Sequence, residues 1–118
     1  MWYARPPSAR HPREPHMHTD DLLTLLQLSR QGAPVEELVR AGWRLEGRAL
    51  TKTWDLPGDR APEEAFIAVW ALAKRHRHHP DVTARYGALR VALTTHDAGG
   101  LTALDVALAA EIEALELS

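Results

Sequence analysis

The chain has 118 residues, 45% apolar and 25% charged, which suits one globular domain and argues against global disorder. Its net charge is −2, so no basic excess is available for a nucleic-acid backbone, and the absence of cysteine excludes disulfides, thiol catalysis and thiolate zinc sites. No apolar run approaches the ~20 residues that span a bilayer, and the N-terminus lacks the apolar stretch of a secretory signal, so the expected compartment is the cytoplasm, away from any membrane.

Residues 1–18 hold Pro6, Pro7, Pro12 and Pro15, which remove amide donors and block helix, so this segment reads as a flexible arm before a domain over 19–118. His11, His16 and His18 in it read as a solvated tail rather than a metal site. A helix is expected from about Thr19, with Asp20 and Asp21 suiting its N-terminal dipole and Leu22, Leu25, Leu26 and Leu28 at rough helical spacing. Gly32 ends it, and a short second helix runs from Pro34 to Gly42.

Trp43-Arg44-Leu45, the Glu46-Gly47-Arg48 turn and Ala49 to Leu56 read as a hairpin, in which Lys52 shares the parity of Leu50 and Trp54 and spoils the alternation. Pro62 is expected to open a central helix with Glu63 and Glu64 in its first turn and an apolar stripe of Phe66, Ile67, Trp70 and Ala71 or Ala73. That helix is expected to finish near His79, because the residue before Pro80 is pushed out of the helical region. Residues 81–95 read as β-structure with a weak point at Gly87. From Ala88 onward Leu89, Val91 and Leu93 share one face, and Ala88, Arg90, Ala92 and Thr94 the other. After the Asp97-Ala98-Gly99-Gly100 turn, Thr102 and Asp105 are placed for a capping box, Leu101 and Val106 for a hydrophobic staple, and Leu104, Leu108, Ile112 and Leu115 for a buried stripe. The order predicts an α+β domain, a four-stranded antiparallel sheet with helices on one face.

His76, His78, His79 and His96 fall in the second half of the chain. If the strand before His96 runs beside the end of the central helix, three imidazoles converge, and imidazole donates and accepts protons near neutral pH. Residue types and spacing leave three readings open: a solvated helix end, an acid/base cluster, or a three-histidine zinc site, which the cations at Lys74, Arg75 and Arg77 oppose.

His78-His79-Pro80, then Tyr86, Thr94-Thr95-His96, Gly100-Leu101-Thr102 and Asp105 carry a pattern. With Gly42-Trp43 and the Glu46-Gly47-Arg48 turn upstream, it resembles the pterin-4a-carbinolamine dehydratase family over roughly residues 34–115. The resemblance implies an αββαββα core, here with an extra N-terminal helix, and dehydration of a 4a-hydroxytetrahydropterin to a quinonoid dihydropterin during tetrahydropterin recycling. It implies no metal and no cofactor. It makes His78 and His96 the acid and base, makes His79 chiefly a holder of the pterin, and puts Arg77, Thr94, Thr95 and Asp97 against the ring. It also implies a homodimer or homotetramer. Some members partner transcription regulators, so a non-catalytic binding module or transcriptional co-regulator is the alternative. Asp105 is expected to be structural, as a cap, and Tyr86 a packed aromatic. The chain departs from the pattern at Lys74, where an acid is frequent, at Arg77, where Asp or Asn is common, and at Val82, where a bulkier residue is frequent.

Overall fold

The computed structural model describes residues 19–117. The arm expected over residues 1–18, with its three histidines, lies outside the described residues. The elements are α1 (Thr19–Arg30), α2 (Val35–Arg40), β1 (Arg44–Glu46), β2 (Ala49–Asp55), α3 (Arg60–His76), β3 (Asp81–Arg85), β4 (Ala88–Leu93) and α4 (Ala103–Glu113), with a 3-10 turn at His96–Ala98. The strands form one antiparallel sheet in the order β1-β2-β4-β3. This is the α+β architecture that the alternation and capping signals predicted.

The central strand β4 carries the core. Leu89, Val91 and Leu93 have no exposed surface and lie opposite Trp54, Lys52 and Leu50 of β2. Val82 and Ala84 of β3 continue the same face. Helix α3 contributes buried Ala65, Val69, Leu72 and Ala73, and α4 contributes Val106, Leu108, Ala109 and Ile112. Each large side chain buried this way stabilises the fold by about 1.5–3 kcal/mol. At the start of α4 the capping box forms: Thr102 Oγ1 accepts the Leu104 N–H, and Asp105 accepts the Thr102 N–H. Leu101 and Val106, the staple pair, are both buried.

Lys52 resolves the imperfect alternation of β2. It does sit on the core face, opposite Val91. Its Nζ lies 2.9 and 3.1 Å from the Glu113 carboxylate and 4.9 Å from the Trp54 ring centroid. Trp43 Nε1 donates to the same carboxylate at 2.8 Å. Glu113, in the last turn of α4, thus satisfies two donors at the rim of the core.

Several apolar assignments differ from expectation. The buried line on α3 runs through Pro62, Ala65, Val69, Leu72 and Ala73, so Ile67 is 60% exposed while Phe66 and Trp70 are half-buried. Leu22 and Leu26 on α1, Leu104 on α4 and Leu115 beyond it are also exposed. Tyr86, at the β3–β4 turn, is 79% exposed rather than packed. In each case the sheet or a neighbouring helix covers fewer apolar positions than the sequence supplies. Helix α3 starts at Arg60, two residues early. Pro62 remains in its first turn, where an N–H has no intrahelical partner.

The Lys52–Glu113 pair makes an asymmetric prediction. Glu113→Ala should destabilise the protein by about 1–3 kcal/mol, because it leaves two partly buried donors without their acceptor. Lys52→Met together with Glu113→Gln, which removes both charges and keeps an acceptor for Trp43 Nε1, should cost less than Glu113→Ala alone. Urea unfolding followed by tryptophan fluorescence measures both.

Candidate functional site

The site begins where α3 ends. Helix α3 stops at His76, and Arg77 takes the left-handed conformation (φ 53°, ψ 37°). The His78 N–H then bonds back to the Ala73 carbonyl at 3.1 Å, closing the helix end. His78 and His79 therefore lie beyond the helix rather than in its last turn, where they were expected. Asn and Asp enter the left-handed region more readily than Arg, so Arg77 carries some backbone strain.

The turn sends the adjacent histidines to different surroundings. His78 is largely buried, and its Nε2 lies 2.6 Å from Asp105 Oδ1. His79 is exposed and packs at 45° on the Trp70 ring, with centroids 5.3 Å apart; Trp70 in turn stacks on Phe66. His96 leaves the sheet after β4 and opens the 3-10 turn. A bridge between Thr95 and Gly100 closes that loop, with N···O distances of 3.0 and 3.3 Å.

These pieces meet. Arg77, His78, His79, Thr94, Thr95, His96 and Asp97 line one cavity of about 250 Å³. All seven residues expected to bind substrate, the three expected catalytic histidines among them, share that wall. A neighbouring groove of about 730 Å³ runs along Phe66, Trp70, Pro80, Val82 and Arg90 and shares His96 with the first.

Asp105 does more than the capping role expected of it. It has no exposed surface. Its Oδ1 faces His78, while Oδ2 accepts from Thr95 Oγ1 at 2.8 Å and the Thr102 N–H at 2.9 Å. Thr95 Oγ1 also lies 2.8 Å from Thr102 Oγ1. With Thr95 donating to Asp105, Thr102 donates to Thr95 and accepts from Leu104, so every hydroxyl has one consistent direction. A carboxylate with all its other partners donating takes the Nε2–H of His78 as well, which fixes that ring's tautomer and leaves Nδ1 as the acceptor.

Two members of the basic run before the site are paired. Arg75 and His76 both reach Glu111 on α4, at 3.9 and 2.9 Å. Arg77 is the member that faces the cavity. Among the described residues no group of three or more His, Cys, Asp or Glu side chains is placed to hold a metal ion, and no helix is long and apolar enough to cross a membrane.

A family model described as pterin 4 alpha carbinolamine dehydratase matches residues 25–115. The chain belongs to this family. A protein from Thermomicrobium roseum named "Putative pterin-4-alpha-carbinolamine dehydratase" is 42% identical over 74 residues, 63% of this chain and 80% of its own length. One of the same name from Chloroflexus aurantiacus is 46% identical over 74 residues, with the same coverage. A crystal structure of a "transcriptional coactivator/pterin dehydratase" from Brucella melitensis superposes with a TM-score of 0.60 at 28% identity, covering 70% of this chain and 93% of that one. The family is one of hydro-lyases, and the cavity residues and Asp105 all fall inside the matched segment.

The tautomer is directly measurable. Nitrogen NMR of the histidine rings should find His78 protonated at Nε2 and bare at Nδ1 at alkaline pH, and Asp105→Ala should remove that preference. Asp105→Ala should also cost about 2–4 kcal/mol, since it strips a cap and leaves buried donors unmatched.

Proposed function

We propose that the protein removes water from a 4a-hydroxytetrahydropterin, giving a quinonoid dihydropterin, in support of tetrahydropterin recycling. One observation supports this most: three histidines share one cavity, and one of them is held by a buried carboxylate, in a chain of this family.

The reaction needs one proton delivered and one removed. The C4a–O bond breaks as the hydroxyl takes a proton and leaves as water. The N5–H proton is lost as the N5–C4a double bond forms, so the net proton count is unchanged. His78, with Nε2 committed to Asp105, presents Nδ1 as the base toward N5. His96, exposed at the end of β4, serves as the acid toward the leaving hydroxyl. The two exchange roles with the face on which the hydroxyl lies. His79, braced by Trp70, holds the ring, and Arg77, Thr94, Thr95 and Asp97 supply its polar contacts. An acid and a base placed together contribute roughly 10²–10⁴-fold each.

In the same reading residues 19–118 are one domain of a cytoplasmic homodimer or homotetramer that uses neither nucleic acid nor cofactor. Strand β3 supports association, being an edge strand with mostly exposed residues. The second reading, a non-catalytic binding module or transcriptional co-regulator, draws on the coactivator description of the Brucella structure.

With a freshly generated 4a-hydroxypterin, the wild-type chain should accelerate dehydration, followed by absorbance. His78→Ala and His96→Ala should each lower kcat by about 10²-fold or more while remaining folded, and His79→Ala should chiefly raise KM. Full activity in both folded variants would sink the catalytic assignment. No turnover in the wild type, with tight binding to a regulator, would favour the module.

A further inference from the structure

Asp21 is a buried carboxylate that the dehydration does not use. It lies in the first turn of α1, ahead of the family-matched residues 25–115, and is 2% exposed. A charge is not buried without partners, and among the described residues Arg48 and Leu101 supply donors from far along the chain. Oδ1 accepts the backbone N–H of Leu101 at 2.9 Å, and Oδ2 accepts from Arg48 Nε at 2.9 Å. Arg48 Nη2 adds a longer contact to Oδ1 at 3.4 Å.

Both partners lead to the His96 loop. Leu101 follows Gly100, whose carbonyl and N–H pair with Thr95 across the base of that loop. The Arg48 carbonyl accepts from Thr94 Oγ1 at 2.7 Å, on the loop's other side. Gly100 shows how tightly the pieces meet. A Cβ there would lie 2.4 Å from Asp21 Oδ1 and 2.6 Å from Arg48 Nη2, so glycine is required by the space the ion pair occupies. Hydrogen bonding to Asp21 raises the Arg48 pKa above its ordinary value.

We infer that Asp21 is a positioning residue, and that through it α1 clamps the Thr94–Leu101 loop so that His96 is held at the cavity. This rests on the reading of His96 as a catalytic group. Asp21 never meets the substrate. It acts by fixing the base of the loop from outside the family-matched segment, while Asp105 fixes Thr95 from inside it.

The test uses the full chain with Asp21→Ala and the nearly isosteric Asp21→Asn, which keeps an acceptor oxygen and covers the case in which alanine does not fold. Amide hydrogen exchange reads the clamp, and steady-state kinetics with the 4a-hydroxypterin reads its consequence. Exchange at Leu101 should quicken by about tenfold or more in Asp21→Ala, as local opening becomes easier. Its kcat/KM should fall about 10- to 100-fold, as expected of a misplaced catalytic group, and Asp21→Asn should fall less. In a His96→Ala background Asp21→Ala should cost nothing further, which a general loss of structure would not reproduce.

Unchanged exchange at Leu101 overturns the clamp. Faster exchange with unchanged kcat/KM overturns the positioning of His96, as does a full further loss in the His96→Ala background. A wild-type chain without turnover would overturn the dehydratase reading and the catalytic half of this inference. Exchange at Leu101 would still report whether Asp21 holds the loop.

Discussion

Asp105 has no exposed surface, and both its oxygens are occupied. A carboxylate in that position is stable only when donors surround it, and here they come from three parts of the chain: His78 after α3, Thr95 after β4, and the backbone at the head of α4. A group that helps Thr102 cap α4 therefore also ties down the chain after α3 and the chain after β4. The cavity follows from that meeting. His78 is pinned at one side and Thr95 at another, so Arg77, His79, Thr94, His96 and Asp97, their neighbours in sequence, have little freedom to be elsewhere.

Asp105 also separates the two histidines chemically. The left-handed Arg77 takes the chain out of the helix just before the two residues, and they leave it toward different surroundings. His78 turns toward the carboxylate, and His79 turns out onto Trp70. A helix that continued through both residues would have placed them about 100° apart on its solvated end, with neither arrangement available. Some backbone strain at Arg77 is thus offset by the charge-assisted hydrogen bond of the next residue, His78, to Asp105.

Much of this was legible in the sequence, because the relevant signals are local. The alternation of Leu89, Val91 and Leu93 marks the central strand's buried face, and Thr102 with Asp105 marks the start of α4. The His-His-Pro spacing with His96 at the end of a strand brings the right residues to one cavity. What was hidden depends on partners distant in sequence. Lys52 breaks the β2 pattern until Glu113, 61 residues later, is seen beside it. Capping explains Asp105 so well that nothing local announces His78, 27 residues earlier. Asp21 reads as an ordinary first-turn acid, yet its backbone partner is 80 residues away. Ile67, Leu104 and Tyr86 show the converse: apolar character is visible locally, and the presence of a neighbour to cover it is not.

The two buried aspartates hold the His96 loop from different distances and with different consequences. Asp105 reaches it through a side-chain hydroxyl, Thr95, and also bonds the His78 ring, so one carboxylate ties the loop to a cavity histidine. Asp21 reaches it through the Leu101 backbone amide and is paired with Arg48. Both anchors bind the loop at its base, at Thr95 and Leu101, while the groove along Trp70 and Val82 meets the loop at His96.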